Sequence, residues 1–101
     1  MPEIARGSGA DSVSTNHGCD ATTVTDTCSD NVFVNGEGAV RQGDLTASHL
    51  ILVGDDCVSH TVPLTTFSNS VFVNSKGIGR KGDSYSGETI SSGSSNCFAG
   101  G

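Results

Sequence analysis

The sequence predicts an all-β fold of three β-hairpin units, and three observations carry that expectation. First, a segment is written twice: Ser29-Asp30-Asn31-Val32-Phe33-Val34-Asn35, then Arg41-Gln42-Gly43-Asp44, returns 39 positions later as Ser68-Asn69-Ser70-Val71-Phe72-Val73-Asn74, then Arg80-Lys81-Gly82-Asp83. Second, a partial copy of its first half closes the chain at Ser94-Ser95-Asn96-Cys97-Phe98-Ala99-Gly100, while Ile4-Ala5-Arg6 resembles its second half. Third, Gly, Ser, Thr, Asn, Asp and Val dominate the composition, which favours turns and short strands. No stretch longer than about ten residues carries the apolar spacing of an amphipathic helix. Units repeating at this period bury their apolar faces against one another, so residues 1–101 form one domain in which no unit folds alone. Three like units about an axis give pseudo-three-fold symmetry, with the unit boundaries cut by the chain termini.

Each full copy alternates Val-Phe-Val before Asn, turns through Gly, and returns in a strand that ends Arg-x-Gly-Asp. Asn35-Gly36 is the strongest hairpin signal, because both residues tolerate the positive φ of a tight turn. The second copy reads Asn74-Ser75-Lys76-Gly77, expected as a longer version of that turn. Gly43-Asp44 and Gly82-Asp83 end the returning strands, and irregular segments follow them: His49 to His60 in the middle, and Ser84 to Glu88 near the end. The loop Asn16-His17-Gly18-Cys19 follows the N-terminal strand in the same way. Packed side by side, the hairpins gather these loops at one end and the Asn-Gly turns at the other.

Only 34% of the residues are hydrophobic and Trp is absent, so the core is thin and needs a crosslink, a metal or a partner surface. Four Cys and three His are the raw material for one. A net charge of −6 with five Lys and Arg offers no stripe to neutralise phosphates, which excludes nucleic acid as a partner. The longest apolar run, Leu50-Ile51-Leu52-Val53, falls far short of the roughly 20 residues of a membrane span. Met1-Pro2-Glu3-Ile4-Ala5-Arg6 lacks the regions of a secretory signal, so synthesis in a cytoplasm is expected. There disulfides are disfavoured, and Cys with His reads as a metal set.

His49 lies five residues after Asp44, and His17 six after Asp11, the degenerate counterpart of the Gly-Asp positions. His60 ends the middle loop. Three-fold packing brings these positions together near the axis, where three imidazoles and one thiolate make a closed tetrahedral zinc site. Cys97 is the expected fourth ligand of His17, His49 and His60. Cys97 also occupies the place of Val32 and Val71, which reads as a small buried apolar residue. Glu88 competes for the fourth position, lying five residues after Asp83 as His49 does after Asp44, and Cys19 and Cys57 compete as well. In an oxidising environment Cys19 could pair with Cys28, or Cys57 with either, and nothing in the sequence selects a pairing. The Gly-rich turns open no helix and so make no phosphate loop, and Asp55-Asp56 reads as a solvated acidic turn.

With these residues assembled, the chain resembles the PAAR-repeat proteins, the caps on the spikes of contractile phage tails and of type VI secretion systems. The resemblance rests on Met1-Pro2 with Ile4-Ala5-Arg6, on His17-Gly18-Cys19, on the two Ser-x-x-Val-Phe-Val-Asn segments, and on Ala39-Val40-Arg41-Gln42-Gly43-Asp44 followed by His49. It implies a small cone with a zinc near its vertex, iron being the other metal, held by three His and one Cys. It also implies a flat triangular base seated on a trimeric β-helical spike, one tip per trimer. His17, His49 and His60 fall where the family's histidines fall. The family's Cys, about four residues after the third Gly-Asp, is missing from Ser84-Tyr85-Ser86-Gly87-Glu88, so either Cys97 substitutes from a neighbouring strand end or the site has different chemistry. The eponymous motif is degenerate, reading Gly38-Ala39-Val40-Arg41 and Gly77-Ile78-Gly79-Arg80.

The function implied is a non-enzymatic, membrane-piercing tip, made in a bacterial cytoplasm, carried on a virion tail or a secretion spike, and touching a target outer membrane transiently. With no toxin domain before Met1 or after Gly101, a bare tip is expected. The alternatives are a disulfide-stapled extracellular binding domain and, less favoured, a small zinc hydrolase with Glu88 as its base.

Overall fold

A computed structural model describes all 101 residues. The protein is all-β, without helices, and its ten short strands fall into one four-stranded and three two-stranded sheets. In chain order they are β1 (Ser12–Ser14), β2 (Thr22–Val24), β3 (Phe33–Val34), β4 (Glu37–Gly38), β5 (His49–Val53), β6 (Asp56–His60), β7 (Phe72–Val73), β8 (Lys76–Gly77), β9 (Ser84–Tyr85) and β10 (Glu88–Ile90). The four-stranded sheet runs β2-β1-β10-β9, and β3-β4, β5-β6 and β7-β8 are separate hairpins. The molecule is elongated, 41 × 24 × 22 Å.

The written repeats become the hairpins β3-β4 and β7-β8. Asn35 and Gly36 both take positive φ, 54° and 80°, the two-residue turn whose twist suits antiparallel strands. The second turn is no longer than the first, contrary to its sequence reading. Asn74 and Ser75 take φ of 54° and 66°, and Val73 pairs directly with Lys76. Asn tolerates the left-handed region well, and here Ser follows it there without a glycine. The third copy has no hairpin of its own. Phe98 instead pairs with Glu3, and Ile4 N–H and Ala99 N–H donate to the carbonyls of Cys97 (2.9 Å) and Pro2 (3.0 Å), so the two chain ends complete one unit.

Three local devices recur, two of them in all three copies and the glycine contact in the two written repeats. Each copy begins with a serine whose Oγ accepts backbone N–H bonds: Ser29 from Asn31 and Val32, Ser68 from Ser70 and Val71, Ser94 from Asn96 and Cys97. Such a side chain fixes the entry to a strand by satisfying donors the ladder leaves open. Gly38 and Gly77 lie directly against the carbonyls of Ser29 and Ser68, and a Cβ at either would collide with that oxygen. Each returning segment then ends in an ion pair: Arg6 with Asp11, Arg41 with Asp44 and Arg80 with Asp83, all at 2.9 Å and all with largely covered carboxylates.

The returning segments are joined to one another around the middle of the molecule. Ala5 N–H donates to Gly79 O (3.0 Å), Gly79 N–H to Val40 O (2.8 Å), and Val40 N–H to Ala5 O (3.1 Å), so three hydrogen bonds close on themselves. Arg side chains extend this linkage, Arg6 Nη1 donating to Asn35, Arg41 Nη1 to Asn74 and Arg80 Nη1 to the Gly100 carbonyl. Alternate residues of these segments fill two small cores. Ile4, Val34, Ala39, Val73, Ile78 and Ala99 form one; Ala5, Val13, Val40, Leu64, Tyr85 and Ile90 form the other. Neither is large enough to hold the fold alone, so the hydrogen-bond ring and the buried Arg-Asp pairs carry part of that role.

Candidate metal centre

The second core leads to the site through two paired strands. Val13 of β1 faces Ile90 of β10, and Glu88, two residues before Ile90 and on the same face, continues that line. Glu88 is 2% exposed. Past β1 the chain doubles back through Asn16 and Cys19, whose φ values of 61° and 72° suit a reversal, and His17 lies between them. Asn16 Nδ2 anchors the loop by donating to Gly87 O (2.9 Å) beside Glu88. His49 opens β5 and His60 closes β6, and the two are register partners at the open end of that hairpin.

These elements converge four side chains, His17, His49, His60 and Glu88, whose ligand atoms all lie within 4.8 Å of one another. Glu88 Oε2 is 2.7 Å from His17 Nε2, 2.9 Å from His49 Nε2 and 2.7 Å from His60 Nε2. The rings stand 4.6–5.4 Å apart, His17 stacked on His49 and His60 edge-on to both. Side-chain exposure is 2% for His49 and 3% for Glu88, against 17% and 23% for His17 and His60.

The hydrogen bonds decide what this cluster can hold. His17 Nδ1 lies 2.9 Å from Gly18 O and His49 Nδ1 2.8 Å from Ala47 O. A carbonyl only accepts, so both Nδ1 atoms carry protons, and a neutral ring then presents its Nε2 lone pair to the centre. Lone pairs aimed at a carboxylate oxygen repel it. Two arrangements relieve this: imidazolium rings, which crowd like charges into one small volume, or a cation held among the four donors. The second leaves every group with a partner, and imidazoles oriented by backbone carbonyls are the usual outer support of a metal site. Glu88 Oε1 is buried without a hydrogen-bond partner and is a further donor atom for the same ion. The group fits a metal ion with three nitrogen ligands and a carboxylate, a set suited to zinc and to iron.

Without a cation the same contacts shift the titrations. His17 is raised above its ordinary 6.5, chiefly by the bond of its ring to Gly18 O and also by Glu88, against a burial effect that lowers it. Burial pushes Glu88 upward, but bonds from His60, His49 and His17 outweigh it and hold the carboxyl below its ordinary 4.5.

The structure thus brings together His17, His49 and His60 and corrects the fourth member. Cys97 is not at the site: it packs, partly buried, against the core of Ile4, Val34 and Ala39, the place its alignment with Val32 and Val71 indicates. Glu88 takes the position instead, and the signal for it was its spacing from Asp83. Cys19 and Cys57 are joined in a disulfide across 38 residues, with Cα atoms 6.0 Å apart, so neither is a thiolate ligand. Cys28 is free and lies against Gly7 and Gly38. The reading of the cysteines as part of a metal set therefore fails for all four. No protein-family model matches the chain, and a search of curated proteins found no match to it.

Proposed function

We propose that this chain is the membrane-piercing tip of a contractile injection apparatus, a cone of three pseudo-symmetric hairpin units with a metal at its vertex and a trimeric β-helical spike beneath its base. The observation that carries the reading is the exposure of Phe33, Phe72 and Phe98. They are the same position in the three copies, and they stand 60%, 60% and 47% exposed while their neighbours Val34, Val73 and Ala99 are buried. Three equivalent aromatic side chains left in solvent match a partner with a true three-fold axis, one tip to three spike chains. At the other end, a metal tying the His17 loop, the β5-β6 hairpin and β10 resists opening where force concentrates. Zinc is the proposed ion and iron the alternative. The tip is made in a bacterial cytoplasm, is carried on a phage tail or a type VI secretion spike, and meets a target outer membrane only in transit.

The test is co-purification with a trimeric β-helical spike and native mass spectrometry of the complex. One tip per trimer is expected, with association lost in a Phe33→Ser, Phe72→Ser, Phe98→Ser variant that melts like the parent. Binding that survives the triple substitution would overturn the reading. The Cys19–Cys57 disulfide favours a second reading, an extracellular binding domain stapled by that bond. A protein that binds no metal and loses its fold on reduction would support it.

A further inference from the structure

We infer that the Cys19–Cys57 disulfide positions His17 against His60 and so governs how tightly the four-donor site holds its metal, making metal retention depend on thiol redox state. The inference rests on the metal reading above. Cys19 is two residues beyond His17 and Cys57 three before His60, so the bond ties together the two ligand-bearing segments that have the least else to hold them.

No residue from Asn16 to Val24, and none from Leu50 to Pro63, is buried. The β5-β6 hairpin is a two-stranded sheet by itself, a structure of marginal stability in water. Apart from the disulfide, the His17 loop meets that hairpin mainly through Asp20 N–H on Leu50 O (3.0 Å), Leu50 N–H on Asp20 Oδ2 (2.7 Å) and the Cys19-Ile51 bridge. Exposed hydrogen bonds without burial beneath them open at low free energy. His49 and Glu88 stand on firmer ground, being buried at the edge of the second core. The bond therefore acts on His17 and His60 selectively.

Both disulfide cysteines are exposed and open to a reductant. A dithiol supplies two electrons and two protons, the Cys19–Cys57 bond becomes two thiols, and the dithiol leaves as its own disulfide. In a reducing cytoplasm the site is loose and exchanges metal; once oxidised outside the cell it is locked.

The experiment measures zinc transfer from the loaded full-length protein to a chromophoric chelator. It compares the oxidised protein, the same protein reduced with a phosphine, Cys19→Ser/Cys57→Ser, and Cys28→Ser/Cys97→Ser. Reduction and the first variant are expected to speed zinc loss about tenfold or more, as for other groups that orient ligands, and the second variant to match the oxidised parent. Amide exchange should show Ala5 and Val40 still protected while Leu50 to His60 exchange faster. Equal zinc loss in oxidised and reduced protein overturns the inference and leaves the metal site standing. Loss of protection at Ala5 and Val40 also overturns it, since the bond would then hold the whole fold. An oxidised protein that takes up neither zinc nor iron overturns the inference and the metal reading together.

Discussion

Replacing Glu88 by Gln keeps the size of the side chain and removes the one negative charge among the four donors. Glu88 is 2% exposed, with Oε2 2.7–2.9 Å from three ring nitrogens, so solvent cannot take over its role. Removing one member of a buried charge pair costs about 3–5 kcal/mol. At about 1.4 kcal/mol per factor of ten, zinc affinity should fall by roughly two to three and a half orders of magnitude. In saturating zinc the same loss lowers the melting temperature by at least about 12 °C for a domain of this length. Glu88→Asp withdraws the carboxylate by one carbon–carbon bond, about 1.5 Å, and should fall between the two. Chelator competition gives the affinity and scanning calorimetry the melting temperature, each measured with zinc and with a chelator. Affinity within threefold of the parent in Glu88→Gln would refute the assignment of Glu88 as a ligand.

Other consequences are open to direct measurement. In the metal-free protein the raised His17 contributes stability that is complete below its unfolded value of 6.5 and is lost as pH rises through the folded one; the depressed Glu88 contributes above 4.5 and is lost as pH falls through its folded value. Melting temperature against pH in chelator should therefore peak between about 4.5 and 6.5, whereas the increment added by zinc should shrink as pH drops below about 6.5 because protons compete for the imidazoles. A flat profile in chelator would show that the cluster does not titrate as its geometry requires. Gly38→Ala drives a methyl into the Ser29 carbonyl and should cost several-fold more than Gly36→Ala, which meets no neighbour and costs only the strain of positive φ, about 1 kcal/mol; urea midpoints measure both. Asp11 accepts from Arg6 N (2.7 Å), Arg6 Nη2 (2.9 Å) and Ser92 Oγ (2.9 Å) with no side-chain exposure, so Asp11→Asn should lose about 3 kcal/mol and more than Asp83→Asn, whose side chain is 9% exposed and whose hydroxyl donor, Thr66 Oγ1, stands farther off at 3.2 Å.

The repeat made the two hairpins legible in the sequence, because Val-Phe-Val alternation and a turn residue at fixed spacing leave little choice of register. It also brought three of the four site residues to notice: His17 and His49 lie six and five residues after Asp11 and Asp44, which end their returning segments, and His60 ends the loop that His49 opens. Glu88 had the same spacing but lost to Cys97, because a thiolate is the softer and commoner partner of three imidazoles and because residue chemistry, unlike spacing, says nothing about which face of a strand a side chain takes. The phase of β10 decides it, with Glu88 and Ile90 inward and Thr89 between them. The Cys19–Cys57 pairing was illegible for a similar reason. It depends on β5-β6 folding back beside the His17 loop, a contact between a hairpin that lies outside the written repeat and an irregular loop, which no periodicity encodes.

The most direct measurement is the metal content of the protein purified without added metal or a nickel column, by elemental mass spectrometry against a quantified protein standard. About one zinc or iron per chain is expected, falling to a small fraction in Glu88→Gln and unchanged in Cys97→Ser. Metal absent from the parent protein, or lost in Cys97→Ser and retained in Glu88→Gln, would contradict the three-histidine, one-carboxylate site.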